Sequence, residues 1–404
     1  MNDLTLVTLL EAVDDRGRSD LAAIRFRDTY EAAAGPGAKV YPPTYPRDGI
    51  PYVFERRYDG SGAPLETVML DSVGSQANRV EEALLDAVDD GRIQLPLLIV
   101  ETTVHGREIR LTSLEMPHRC SDAYLRDAET ETGERFDSTD VGRELRRAAL
   151  RNATTVYRSC PTALILGTWD SHRGRPELSF KAPRVYVSEL YGIAPESQTG
   201  WRVGSRLDPL GMLGGRVRRT GEQPGDWELI EIEGEQTVEQ VPGTERARRA
   251  ETDKLSNVGH GNVAPSVEIG GVPIASARRA ASISLGGLRR LRFPIDGDRS
   301  SERDAAGRAV LAALAVVGDR LAFGRADLSL RSGCDLVVTE TVVELVARGG
   351  DVRALELGVD DAIALLRAAV ERASEAGLKW LDQPIRLRPR ANLQRALEAN
   401  LLDV

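Results

Sequence analysis

The feature that most constrains this chain is a change of hydrophobic period over a short stretch. Residues 67–70 form an apolar run, and directly after it Val73, Ala77, Val80, Leu84 and Val88 recur at helical spacing, with Gly91 just beyond. Period two followed by period 3.6 reads as a strand leading into an amphipathic helix that a glycine stops. Residues 97–100 supply another buried strand. Two charged helical stretches follow, 118–128 and 141–152, the second behind the cap-forming Ser138, Thr139 and Asp140. Strands resume at 162–166 and 184–190.

From 192 to 271 the chain is rich in Gly, Pro and charge with weak periodicity, which reads as loops and a projecting hairpin. Beyond it, 280–285 and 291–293 read as strands, 305–321 as a helix, 336–345 as a long strand, and 359–376 as a helix ending at Gly377. Strand-helix-strand twice over, with large insertions, fits an α+β fold on a split βαβ, ferredoxin-like core of the kind that RNA-binding modules use. No fixed-period repeat or long low-complexity tract interrupts it.

Composition narrows the function. The net charge of -9 opposes indiscriminate coating of nucleic acid, so any RNA site is local. Of the 53 basic residues only Lys39, Lys181, Lys254 and Lys379 are lysines, and a GC-rich genome accounts for that bias as well as function does. Where the arginines cluster is therefore what counts. Cys120, Cys160 and Cys334 are too far apart in sequence for a CxxC pair, which points to buried free thiols of a reducing cytosol and to a cytoplasmic protein. The first residues hold Asp3, Glu11, Asp14 and Asp15 and no basic start, unlike a secretory signal, and no apolar run reaches membrane-spanning length.

The densest basic stretch is 269–295, where Arg278, Arg279, Arg289, Arg290 and Arg292 occur without an intervening Asp or Glu. Two arginine groups on neighbouring strands, joined by a turn at Gly286 and Gly287, would line one phosphate track. The alternative is a solvated strand pair whose arginines meet carboxylates from elsewhere. Arg143, Arg147 and Arg151 share a helical face, with Arg146 beside them, and Arg216, Arg218 and Arg219 follow a Gly pair in the loop-rich stretch. Residues 255–262, LSNVGHGN, are of the type that exposes backbone amides to a phosphate. The GxGxxA spelling there lacks a dinucleotide context, since Pro265 follows at once.

Catalytic groups are few. The four histidines, His105, His118, His172 and His260, show no metal-ligand spacing, and no P-loop occurs. Neither a metal nor a cofactor is expected. A metal-independent RNA endonuclease with a histidine general base is the enzymatic alternative, and a scaffold that touches only protein is another. Aromatics are scarce and the RNP1 pattern is missing, so bases are not read by stacking on a sheet; Trp169 and Trp201 stand out as exceptions.

Taken in order, 70–82 (LDSVGSQANRVEE), 112–128 (TSLEMPHRCSDAYLRDA), 167–171 (GTWDS), 255–265 (LSNVGHGNVAP) and the arginine-rich 283–293 resemble the backbone subunit of type I CRISPR surveillance complexes, in the RAMP-superfamily form of the subtype called U, later G. The last fifty or so residues match less distinctively. The resemblance implies a ferredoxin-like (RRM-like) palm from 65–105, 160–192 and 280–350, a helical finger-like insertion at 106–159 and a loop-rich thumb-like insertion at 193–279, with an N-terminal segment at 1–64 and a C-terminal helical segment at 351–404. It implies a non-catalytic Cascade subunit of antiviral defence whose copies form a filament along one guide RNA. Each copy grips sugar and phosphate, and bases between the kinks made by neighbouring thumbs are left to pair with target DNA. The implied partners are the guide RNA (crRNA), the target DNA strand through the guide, further copies, the large and guide-end-binding subunits, and a separate helicase-nuclease; a membrane is not among them. The RNA contacts it points to are Ser75, Gln76, Asn78 and Arg79 at a helix start, His118 and Arg119 in the finger, Trp169, and Asn257, Gly259, His260 and Asn262 in the loop, together with Arg278, Arg279, Arg289, Arg290 and Arg292.

Overall fold

Inward and outward side chains alternate along Leu21–Ala32 (β1), where Ile24, Phe26, Asp28, Tyr30 and Ala32 are buried and Arg25, Arg27, Thr29 and Glu31 are not. Successive side chains of a strand point to opposite faces, so one face of β1 meets a core and the other does not. Phe54–Tyr58 (β2), Pro64–Asp71 (β3), Tyr186–Ile193 (β4), Ser276–Ser284 (β5), Asp327–Arg331 (β6), Cys334–Ala347 (β7) and Val352–Leu355 (β8) complete an eight-stranded sheet. Its order is β6-β7-β1-β5-β4-β3-β2, with β8 also paired to β7, and every pairing is antiparallel.

The computed structural model describes residues 4–16, 19–46, 49–170, 180–193, 199–212, 214–232 and 252–401. One compact unit comprises Met1–Pro46, Pro51–Ser197 and Ile274–Val404, and it holds the whole sheet. The second comprises Arg47–Ile50 and Gln198–Pro273.

In the first unit, Leu6–Val13 (α1), Val73–Asp89 (α2) and Val359–Glu375 (α4) gather around Ser301–Phe323 (α3). Nearly all of α3 is buried, as expected of a helix with apolar or small residues on every side. Its Gly318 lets α2 approach so closely that a Cβ there would lie 2.6 Å from Val80 Cγ1. Ser72 caps α2 by accepting from the Ser75 amide, and Gly91, with φ of 70°, follows its C-terminal end in the left-handed region that glycine tolerates. Along the chain β1 leads through β2 and β3 into α2 and on to β4, and β5 leads through α3 and β6 to β7; in the sheet β1, β4, β5 and β7 lie β7-β1-β5-β4. The fold is α+β, with a single antiparallel sheet at its centre.

A smaller sheet of the same unit joins Arg107–Thr112, Leu98–Val104, Ile385–Pro389 and Ala128–Glu129, with Ile385–Pro389 parallel to Leu98–Val104. The C-terminal residues thus supply a central strand there as well as helices. Among its described residues the second unit contains the antiparallel pair Trp201–Arg206 with Val263–Ile269 and a three-stranded antiparallel sheet in which Gly215–Arg219 lies between Trp227–Ile232 and Asp253–Lys254, where the sequence indicates loops and one hairpin.

Several expectations are corrected. The N-terminal segment 1–64 contains β1, which lies near the middle of the sheet. Residues 162–166 are not a strand; Thr162–Ile165 is a helical turn, every residue of it buried, and a short run apolar on all sides carries no period to separate the two. Residues 291–293 lie outside any strand. The charged stretches 118–128 and 141–152 yield only short helices, Ala123–Arg126 and Asp140–Arg146. As the sequence leads one to expect, all three cysteines are buried and free. Among the described residues no helix is long and apolar enough to cross a membrane.

Candidate nucleic-acid interface

The start of α2 is stitched into the fold. Asp71, buried at the end of β3, accepts from Gln76 Nε2 at 2.5 Å and from Arg79 Nε at 2.8 Å. Gln76 Oε1 accepts from Ser188 Oγ of β4 at 2.8 Å. The remaining nitrogens of Arg79 reach the carbonyls of Ser329 at 3.4 Å and Leu330 at 3.3 Å. Gln76 is therefore a core residue and Arg79 a strut between α2 and β6, which corrects the expectation that both face RNA. Asn78 is exposed and Ser75 half-buried.

Arg119 is corrected in the same sense. It is buried, adopts φ of 53°, and holds Glu81 of α2 through two bonds of 2.6 and 2.7 Å while donating to the Gly167 carbonyl at 2.8 Å. Burial pushes the Glu81 carboxyl up to about 7 against the opposing pull of Arg119. This clamp brings the exposed His118 beside the strand pair Thr168–Trp169 and Lys181–Ala182, because Thr168 Oγ1 donates to the His118 carbonyl at 2.9 Å. Trp169 is 47% exposed with the Lys181 ammonium 4.9 Å from its ring centroid, so it does not cap the core as a tryptophan after a buried strand usually does. His172 lies outside the described residues.

The basic stretch after residue 269 divides in two. Arg278 is exposed on β5 opposite Thr29, whereas Arg279 faces inward opposite Asp28. Arg279 Nε donates to Asp28 at 2.5 Å, Nη1 to Asp319 of α3 at 2.6 Å and to the Tyr186 and Ser188 hydroxyls at 3.3 Å each, and the guanidinium lies 4.2 Å from the Phe323 ring centroid. Burial disfavours the Asp319 carboxylate, but Arg279 and Arg320 outweigh it and hold the carboxyl below its ordinary value. No phosphate reaches Arg279. The glycines expected to turn the chain instead form the one-turn helix Leu285–Leu288, so Arg289, Arg290 and Arg292 follow the far end of β5 from Arg278 and not a neighbouring strand.

Those three meet Arg151 and Leu150 around a recess of about 320 Å³. Arg289 donates to the carbonyls of Ala12 at 2.5 Å and Leu21 at 2.6 Å, and Arg292 to those of Arg289 at 2.6 Å and Leu291 at 2.9 Å and to Asp15 at 2.5 Å. Arg151 and Arg290 are exposed and have no side-chain hydrogen bond or ion pair among the described residues. The spacing of Arg143, Arg147 and Arg151 does not predict this, since the helix ends at Arg146 and Arg151 lies instead in a bridge between Ala149 and Asn152.

In the second unit the loop of residues 255–262 is occupied by the protein itself. Gly259 and His260 donate to the Ser256 and Leu255 carbonyls, and the Gly261 amide donates to Asp208 Oδ2 at 2.8 Å. Asn262 Oδ1 accepts from the Asp208 amide, Asn257 donates to Asp253, and Arg206 collects the carbonyls of Ser256, His260 and Gly261. A carboxylate stands where a phosphate was expected, which corrects the reading of Gly259 and its neighbours as a main-chain phosphate cradle. The His260 ring instead lies 5.5 Å from that of Trp227.

Residues 24–196 match the family model of CRISPR-associated protein GSU0053. The matched segment spans under half of the chain, takes in most of β1 and all of β2, β3, α2 and β4, and supports a CRISPR-related role. It contains Ser75, Asn78, His118, Trp169 and Arg151, while Arg278, Arg289, Arg290 and Arg292 follow it. No curated protein matches the chain.

Proposed function

We propose that this chain is the non-catalytic guide-RNA-binding backbone subunit of a type I CRISPR surveillance complex, in its RAMP-superfamily subtype U or G form. The observation that carries the reading is the strand order β7-β1-β5-β4 with α2 and α3 among its connections, in a chain whose residues 24–196 match a CRISPR-associated family model. That is the order of a ferredoxin-like, RRM-like palm. The exposed guanidiniums of Arg278, Arg290 and Arg151, which have no side-chain hydrogen bond or ion pair among the described residues, suit phosphate contacts that ignore base identity, as a guide of any sequence requires.

Stacking of copies has its own support. Trp201 pairs across strands with Ile269, and Val203 with Val267. Trp201, Val203 and Val267 are 63, 70 and 67% exposed, and Leu207 and Leu210 just beyond are 85% exposed. An apolar ribbon this open favours a protein contact over solvent, and a thumb set against the next copy along the guide provides one. The large subunit, guide-end subunit and helicase-nuclease complete the assembly, in the cytoplasm.

Co-expression with a repeat-spacer array, purification through this chain and sequencing of the bound RNA tests the proposal. Uncut guide RNA in a multi-copy assembly is the expected result. A folded chain that cleaves repeat RNA, or one that binds none with every partner present, overturns it.

A further inference from the structure

We infer that the recess lined by Leu150, Arg151, Arg289, Arg290 and Arg292 is a preorganised pocket for one backbone phosphate of the RNA. The inference rests on the guide-binding reading and adds a place and a division of labour to it.

The recess is built, not accidental. Arg292 N–H donates to the Leu150 carbonyl at 2.8 Å and Ala153 N–H to the Arg292 carbonyl at 2.9 Å, which ties the segment holding Arg151 to the segment holding the other three. Behind it the fully buried Arg308 donates twice to the Leu291 carbonyl, at 3.0 and 2.8 Å, and once to that of Val13. Phe293 N–H donates to Asp304 at 2.7 Å, and Thr154 Oγ1 to the Pro294 carbonyl at 2.6 Å. The loop is thus fixed before any ligand arrives, so binding orders little further chain.

Its charge is unbalanced. The carboxylates paired with these guanidiniums are Asp15 and Asp304, and both serve Arg292 and Arg308. Arg289 is bound to carbonyls, which keep its charge in place without neutralising it. Arg151 and Arg290 present open forks. A phosphodiester offers two oxygens to such forks and continues as a strand past the mouth. None of the lining side chains is aromatic, so the recess holds backbone and stacks no base.

The test uses the full chain freed of RNA and a fluorescent single-stranded RNA of repeat-spacer sequence, with Kd measured over a range of salt. Arg151→Ala/Arg290→Ala should melt at the wild-type temperature and bind at least about tenfold more weakly. Its plot of log affinity against log salt should be shallower by about 0.7, the share of one single-strand phosphate contact. Arg107→Ala/Arg353→Ala, which removes the same charge from exposed sites elsewhere, should leave both unchanged. Equal losses in the two double variants would reduce the effect to net charge and overturn the pocket. So would unaltered RNA affinity in Arg151→Ala/Arg290→Ala, including the case where assembly alone fails and the recess docks an acidic protein. A wild type that binds no RNA alone or with every partner present removes the guide-binding reading together with the pocket, whereas a binding wild type matched by its double variant removes the pocket alone.

Discussion

Arg279 and Arg290 lie in one acid-free stretch of sequence, yet the regions around them put the same side chain to opposite uses. Around Arg279 a guanidinium without solvent contact is held between two buried carboxylates, two hydroxyls and an aromatic face. Around Arg290 the guanidiniums outnumber their carboxylates, and two of them point to solvent. A buried ion pair persists where close geometry and added hydrogen bonds offset most of its lost hydration; an open cluster keeps its excess charge for something outside the protein. Sequence density of arginine therefore measures neither stability nor binding. Strand parity turns Arg279 into the core, and the turn beyond Leu285–Leu288 leaves Arg290 open.

The largest effect is expected at the buried node. Arg279→Ala leaves Asp28 and Asp319 facing each other's charge in the core and should lower unfolding stability by about 3–5 kcal/mol in urea titrations; a loss below about 1 kcal/mol would mean that the node holds nothing together. Glu81, clamped by Arg119, gives a pH-dependent version. Its folded pKa is raised from 4.5 to about 7, so its stabilising share is complete below about pH 4.5 and is lost as pH rises through 7. Wild-type stability should fall by up to about 3 kcal/mol across that window relative to Glu81→Gln, and parallel pH profiles of the two proteins would contradict this assignment. Gly318→Ala acts on the α2–α3 seam beside Asp319, where the new methyl meets Val80; overpacking of about 1–3 kcal/mol is expected in melting curves, with partial recovery in Gly318→Ala/Val80→Ala. At the open pole, Arg290→Ala should change stability by no more than about 0.5 kcal/mol. A larger loss would place Arg290 with Arg279 and dissolve the distinction.

Much of the sheet and its helices is legible because their apolar spacing is uninterrupted. The helix 73–88 with its stop at Gly91, the long strand 336–345 and the helix 359–376 all lie where the period puts them. β1 is hidden by Asp28, a charge at an inward position that breaks the alternation of Ile24, Phe26 and Tyr30. Its partner Arg279 is 251 residues away, and neither is tenable in a core without the other, so no local pattern reveals the pair. Parity did hold a clue: Ala277, Arg279, Ala281 and Ile283 share one face of β5. The loop 255–262 misleads for a related reason, since its amide donors are real but Asp208, far upstream, already takes one of them. Arg151 is missed because its place in the recess depends on a backbone bridge to Arg292 that spacing cannot show.

β4 and β5 stay in register up to Ile193 opposite Ser276, where the chain leaves for the second unit and comes back. Closing a hairpin over an excursion twice as long costs only about 0.6 kcal/mol more. The sheet is thus nearly indifferent to what is carried between those two residues. An engineer could exchange that passage for a shorter turn or a foreign module and still expect the strands beneath to pair, and relatives are free to diverge there in length while the platform keeps its order.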